Sequence, residues 1–280
     1  MSTVAAHIKE FFKGFSLRLR WAVKAVACGF LLMSLVAAAQ TPSTGLVDAV
    51  ARVKPSVVLV GTFKATNSPR FTLRGTGFIA GDGNFAITNA HVIPEDQEKD
   101  PESKIVIQVR TGQNELQARV ATILEIDKLR DLALLKFDGA ALPKLIVRDS
   151  DSVREGQSIA FMGFPIGGAL GFSPVTHRGI ISSITAITPP SSSASQLNAR
   201  NIASLRSGVF NVFQLDATAY PGNSGGPMFD ADSGEVLGVI NMVFIKGTKE
   251  SALTHPSGIS YAIPSKYVMD LLSRHKTPAK

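Results

Sequence analysis

Twelve short runs rich in Val, Ile, Phe and Thr, separated by turn residues, fill this chain from Ser56 to Ile263. No amphipathic segment of helical length interrupts them, and that restricts the fold more than any other property of the sequence. The first six runs are Ser56–Ala65, Phe71–Ala80, Phe85–Asn89, Lys104–Arg110, Leu116–Glu125 and Leu132–Phe137. The last six are Ser158–Gly163, Val175–Ile187, Val209–Asp216, Pro227–Asp230, Glu235–Phe244 and Gly258–Ile263. Gly81-Asp82-Gly83-Asn84 is a strong hairpin signal, and Asp138 to Glu155 reads as a connection between the two sets. Six strands suffice for one barrel. The expected architecture is therefore all-β: two stacked six-stranded antiparallel barrels, about residues 55–138 and 156–264. Helix is expected only at the ends. Leu46, Val47, Val50 and Val53 have helical spacing, and a closing helix at 265–275 has Ser265 as N-cap for Lys266 to Arg274.

Residues 1–39 read separately. Lys9, Lys13, Arg18, Arg20 and Lys24 precede an apolar stretch from Ala25 to Val36 and the small residues Ala37-Ala38-Ala39. That order is the order of a secretory signal peptide, with cleavage expected after Ala39 and residues 40–280 forming the mature domain. The alternative is a membrane anchor through residues 21–39, but the uncharged stretch Ala25–Ala39 has 15 residues and a spanning helix needs about 20. The destination expected is the periplasm or the exterior.

The chain's 29 basic and 22 acidic residues include five and one in this leader, so 24 and 21 follow it, a net charge of +3. The basic balance belongs largely to the leader and gives no argument for nucleic acid. Cys28, the only cysteine, also lies there, so the mature chain has no thiol for a disulfide or a zinc site. With no His-x-x-x-His spacing either, neither metal nor cofactor is expected.

Three polar residues stand in notable settings. Ser224 lies in Pro221-Gly222-Asn223-Ser224-Gly225-Gly226-Pro227, a turn where glycine lets a carbonyl approach backbone N–H groups. His91 ends the strand-like Thr88-Asn89-Ala90-His91, and Asp131 directly precedes the apolar Leu132–Leu135. A hydroxyl becomes a nucleophile when a base takes its proton, and a carboxylate can fix the tautomer of that base. Each has a plainer reading: a Ser/Gly hairpin, a surface histidine, an acid paired with Arg130 or Lys128. Asp127 is the rival for the carboxylate role. Together, in the chain order His, Asp, Ser, they outweigh the plain readings. The Gly222-Asn223-Ser224 turn, through the N–H groups of Gly222 and Ser224, is the expected oxyanion hole. His177 and His255 lie near prolines in loops and receive no role.

These motifs resemble the Deg/HtrA-type trypsin-like serine proteases of the chymotrypsin fold. Gly75-Thr76-Gly77-Phe78-Ile79 with Asp82-Gly83 and Thr88 to Val92 is similar to that family's histidine segment. Asp127 with Asp131 to Lys136 is similar to its aspartate segment, and Asp216-Ala217, Pro221 to Pro227 and Tyr261-Ala262-Ile263-Pro264 to its serine and closing strands. The resemblance implies catalytic His91, Asp131 and Ser224, cleavage of unfolded or partly folded proteins, and a homotrimer by family analogy. It puts Thr218 at the floor of the substrate pocket, where an uncharged residue offers no counter-charge to Arg or Lys. It puts Val239 to Val243 on the opposite wall, a lining that favours small to medium aliphatic side chains, with Tyr220, Asn241 and Met242 among the substrate-binding positions. Three departures are visible. Only 56 residues follow Ser224, too few for a PDZ domain of about 100 residues. Tyr220 stands where the family usually has Asn, and Pro189 to Gly208 is longer than the usual connection and a candidate gate. A latent, binding or chaperone-like module on the same scaffold is the alternative function.

Overall fold

The computed structural model describes residues 45–95, 97, 100–112, 115–168, 172–187, 210–241 and 259–275. All of these belong to one compact unit, Thr44–Lys280. The leader, Met242, His255 and the Pro189–Gly208 connection lie outside them.

Twelve strands are arranged as two closed antiparallel barrels. The first contains β1 (Val57–Phe63), β2 (Phe71–Ala80), β3 (Phe85–Thr88), β4 (Lys104–Arg110), β5 (Leu116–Asp127) and β6 (Leu132–Phe137). The second contains β7 (Ser158–Gly163), β8 (Val175–Ile187), β9 (Phe210–Asp216), β10 (Pro227–Asp230), β11 (Val236–Asn241) and β12 (Ile259–Pro264). Around the first barrel the order is β1-β2-β3-β6-β5-β4, closed by β1 on β4. The second runs β7-β8-β9-β12-β11-β10, closed by β7 on β10. The two orders are the same, so the architecture repeats although the sequence carries no visible repeat. Closure leaves no free sheet edge.

Each barrel has its own apolar filling, and a third cluster joins them. Phe78, Ile87 and Leu134 of the first barrel meet Met162, Phe164, Phe229 and Val239 of the second in one buried group. The connection after β6 is sewn to both sides: Leu145 N–H donates to Ile79 O (2.9 Å) and Arg148 N–H to Val236 O (3.0 Å).

The first helix, α1 (Leu46–Val53), buries Ala49 and Val53 and leaves Val47 82% exposed. Leu46 and Val50 pack against the same core, so of the four residues with helical spacing only Val47 faces away. The last helix, α2 (Ser265–Arg274), begins after Pro264, which holds the cap position expected for Ser265. Ser265 Oγ instead donates to Arg148 O, and Lys266 N–H finds its acceptor in Ser150 Oγ (3.1 Å). A distant serine thus satisfies a first-turn N–H of the helix. At the other end Arg274 and His275 both reach Glu125 of β5 (2.6 and 2.7 Å). The helix that follows the second barrel is in this way tied to the first.

Phe78 is fully buried where the barrels meet. Phe78→Ala is expected to destabilise the fold by about 3–5 kcal/mol. Urea titrations followed by fluorescence and by circular dichroism should shift together, because the lost contacts belong to both barrels.

Candidate functional site

Polar side chains gather where the ends of β3 and β6 face the β9–β10 loop and β11. His91 lies in a single turn of 3-10 helix, Ala90–Val92, just past β3. Asp131 precedes β6 with φ of 54°, a left-handed conformation that Asp tolerates better than most residues. The turn before it is fixed by Asp127, which accepts from Arg130 N (3.0 Å) and Arg130 Nη1 (2.8 Å). The same guanidinium lies over the Tyr267 ring at 4.6 Å. The rival carboxylate Asp127 is thereby committed to Arg130, and Asp131 is the one that faces His91.

The contact between them is close. Asp131 Oδ2 lies 2.6 Å from His91 Nδ1, and Oδ1 accepts from His91 N at 2.8 Å. Asn241 Nδ2 donates to the same Oδ2 at 2.6 Å, so this side chain, expected on a pocket wall, is turned to the carboxylate. Asn89 Nδ2 and Ala90 N donate to the Asp131 backbone carbonyl (2.9 and 3.2 Å). The carboxylate is thus held from both barrels. With Nδ1 facing an acceptor, a neutral His91 carries its proton there and leaves Nε2 as the basic nitrogen. Among the described residues no hydrogen bond joins Nε2 to Ser224; such bonds are often long before substrate arrives.

The loop carrying Ser224 is held peptide by peptide. Asn223 N–H, expected to help line the anion site, instead donates to Tyr220 O (2.9 Å). Gly225 N–H donates to Ile240 O and Gly226 N–H to Asn223 O, both at 2.9 Å. Pro221 O accepts from Ile166 N (2.7 Å), and a trans peptide sends its N–H opposite to its C=O. Gly222 N–H therefore points away from Ile166. Among the described residues, the N–H groups of Gly222 and Ser224 have no partner. Two such donors in a fixed loop are what a developing oxyanion needs. Gly222 has φ of 102° and Gly225 of 86°, and a Cβ on Gly225 would lie 2.1 Å from Thr76 O. The loop can press on the first barrel only with glycine there.

Several contributors escaped sequence reasoning. Thr76 N–H donates to Ser224 O at 2.8 Å and Thr76 Oγ1 to Gly222 O at 2.6 Å. A polar residue between Gly75 and Gly77 inside a strand was the available signal, since strand glycines often mark a close backbone approach. Ser260 Oγ accepts from Ala219 N and donates to Ala217 O (2.8 and 2.7 Å), bracing the half-buried Thr218 between them. His177 stacks on Phe161 with ring centroids 4.7 Å apart and lies 6.0 Å from the Tyr220 ring. Its Nε2 is 3.5 Å from Asn223 Nδ2, so this histidine, which received no role from the sequence, abuts the serine loop.

Among the described residues no group of His, Cys, Asp and Glu could hold a metal, and no helix is long and apolar enough to cross a membrane.

Residues 75–239 match the family model described as a trypsin-like peptidase domain. The chain is 32% identical to a Marinomonas sp. protein named "Probable periplasmic serine endoprotease DegP-like", over 74% of this chain and 36% of that protein. It is 30% identical to mouse serine protease HTRA4, over 80% of this chain and 39% of that protein. It thus spans little more than a third of these relatives' length. Among solved structures, the HtrA-type protease AlgW with tripeptide is similar at a TM-score of 0.57 and 26% identity, over 81% of this chain and 62% of that one. The serine endoprotease from Yersinia pestis gives the same TM-score and identity, over 84% and 67%.

Burial holds the His177 imidazole below its ordinary value of 6.5. The folded chain keeps it neutral where the unfolded chain would protonate it, so its contribution is intact above 6.5 and stability falls as the pH drops below that. His177→Phe retains a ring against Phe161. Urea midpoints measured at about pH 7.5 and about pH 5.5 should fall less between the two in this variant than in the parent.

Proposed function

Because the chain belongs to the trypsin-like peptidase family, in its Deg/HtrA branch, we propose that it is a serine endopeptidase acting on unfolded or partly folded proteins. The observation that carries this reading is the Asp131–His91 pair, joined at 2.6 Å, beside a serine loop whose Gly222 and Ser224 N–H groups are unpartnered among the described residues.

In the proposed reaction His91 Nε2 takes the Ser224 Oγ proton as Oγ bonds the substrate carbonyl carbon. The electron pair displaced onto the carbonyl oxygen is held by the N–H groups of Gly222 and Ser224. The intermediate then collapses with cleavage of the C–N bond, and His91 returns the proton to the leaving amine. Water attacks the resulting ester by the same route and releases the acid. Asp131 stays ionised and keeps His91 in one tautomer and orientation. The sequence requires no cofactor for any of these steps.

An uncharged Thr218 at the pocket floor argues against an Arg or Lys preference, and a wall from Val239 to Val243 supports small to medium aliphatic side chains, with about 1–3 kcal/mol of discrimination per methylene. Export to the periplasm or beyond is supported by the leader's charge and apolar order and by the naming of relatives as periplasmic. Assembly as a trimer belongs to the same proposal, by family analogy.

A fluorophosphonate probe on the purified protein is expected to label Ser224, and unfolded casein to be cleaved. Both should vanish in Ser224→Ala, with kcat falling on the order of 10⁶-fold. Asp131→Asn should cost about 10⁴-fold in kcat through the wrong imidazole tautomer. Equal labelling in the alanine variant would remove Ser224 from its role. Labelling without cleavage of any unfolded protein would favour a latent binding module instead.

A further inference from the structure

Thr76 sits in β2 with no exposed surface, outside the three residues of the proposed reaction, and all its polar groups are in use. Its N–H donates to Ser224 O (2.8 Å), and its carbonyl accepts from Thr88 Oγ1 (2.7 Å). Its hydroxyl accepts from Phe164 N (3.0 Å) and lies 2.6 Å from Gly222 O. A hydroxyl has one proton, and Phe164 N–H is itself a donor, so that proton can only go to Gly222 O.

The two carbonyls gripped by Thr76 belong to Gly222 and Ser224, the same two residues whose N–H groups stay unpartnered. One side of each residue is fastened to the first barrel, and its N–H end is left free for a ligand. The grip also fixes the peptide between them, because Asn223 N–H is tied to Tyr220 O at the same time. Gly222, at φ of 102°, has no side chain to hinder rotation. Its orientation is therefore set by the bonds to Pro221 O and Gly222 O.

We propose that Thr76 is a positioning residue for the oxyanion hole, its hydroxyl holding the Gly222 N–H in the direction of a developing oxyanion. The inference rests on the endopeptidase reading above. It adds a specific demand: the hydroxyl, rather than the bulk of the side chain, must matter for kcat and not for ground-state binding.

Thr76→Val removes the hydroxyl at nearly constant shape, Thr76→Ser keeps it, and Thr76→Ala is a second deletion without the branched methyl beside Phe164 N. With a chromogenic peptide substrate, the valine and alanine variants should lose about 10–100-fold in kcat with KM within about twofold of the parent. A peptide boronate, which places an oxyanion in the hole, should bind correspondingly more weakly, while the cleaved product peptide binds as before. The pH profile should keep its midpoint, because the hydrogen bonds of Thr76 go to Gly222, Ser224, Thr88 and Phe164 and not to His91 or Asp131. Thr76→Ser should stay within a few-fold of the parent. An unchanged kcat in either deletion that retains native melting would overturn the proposal. So would a rise in KM alone, or a serine variant as impaired as valine. If the parent itself neither reacts with fluorophosphonate nor cleaves peptide, the endopeptidase reading fails, a different result from a parent that works and a valine variant that works equally.

Discussion

The Asp131 carboxylate takes hydrogen bonds from both barrels at once, and the rest of the site is aligned by that meeting. His91 N and Nδ1 approach from the end of β3, and Asn241 Nδ2 approaches from the end of β11. Three hydrogen bonds, two from His91 and one from Asn241, thus converge on this half-buried carboxylate. The backbone cost is a non-glycine residue at φ of 54°, a conformation disfavoured by about 1–3 kcal/mol. It is offset by the Asp127–Arg130 bracket and by the two donors on the Asp131 carbonyl.

The same division of labour governs the serine loop. Pro221 O is held by Ile166 and Gly226 O by Ile240, both of the second barrel's side, while Gly222 O and Ser224 O are held by Thr76 of the first. Ile166 has φ of 58°, unusual for a β-branched residue. Two non-glycine residues at positive φ, Asp131 and Ile166, thus both bear on one site. Strain of this kind persists where surrounding contacts over-determine the backbone.

Much of this was legible in the residues, for identifiable reasons. Strands such as Phe71–Ala80 and Val175–Ile187 have clear ends because turn residues bound them. The order His91, Asp131, Ser224 restricted the fold, and glycine around Ser224 marked a loop under tight approach. What stayed hidden depends on distance through space. Asn241 can line a pocket or brace a carboxylate, and only the position of β11 beside Asp131 decides. Ser265 carries the composition of a helix cap, yet Pro264 takes that position because Arg148 O claims the hydroxyl. His177, inside the expected strand Val175–Ile187, received no role because nothing local announces that β8 lays it on Phe161. Thr76 reads as an ordinary strand threonine until the serine loop is packed against it.

Polar alignment of this density needs an apolar support, and the two lie in contact. Asn89 Oδ1 and Asn223 Oδ1, flanking His91 and Ser224 in sequence, are buried without a hydrogen-bond partner among the described residues. Each such group costs about 1–3 kcal/mol. Neither barrel alone can hold the site, since the carboxylate and the serine loop each take bonds from both. The cluster around Phe78, Phe164 and Phe229 contains residues of both barrels and holds them together. Phe164 connects the two layers most directly: its ring belongs to the shared core and its N–H donates to Thr76 Oγ1. Packing between the barrels is therefore coupled to the direction of the Gly222 N–H through a single residue's ring and amide.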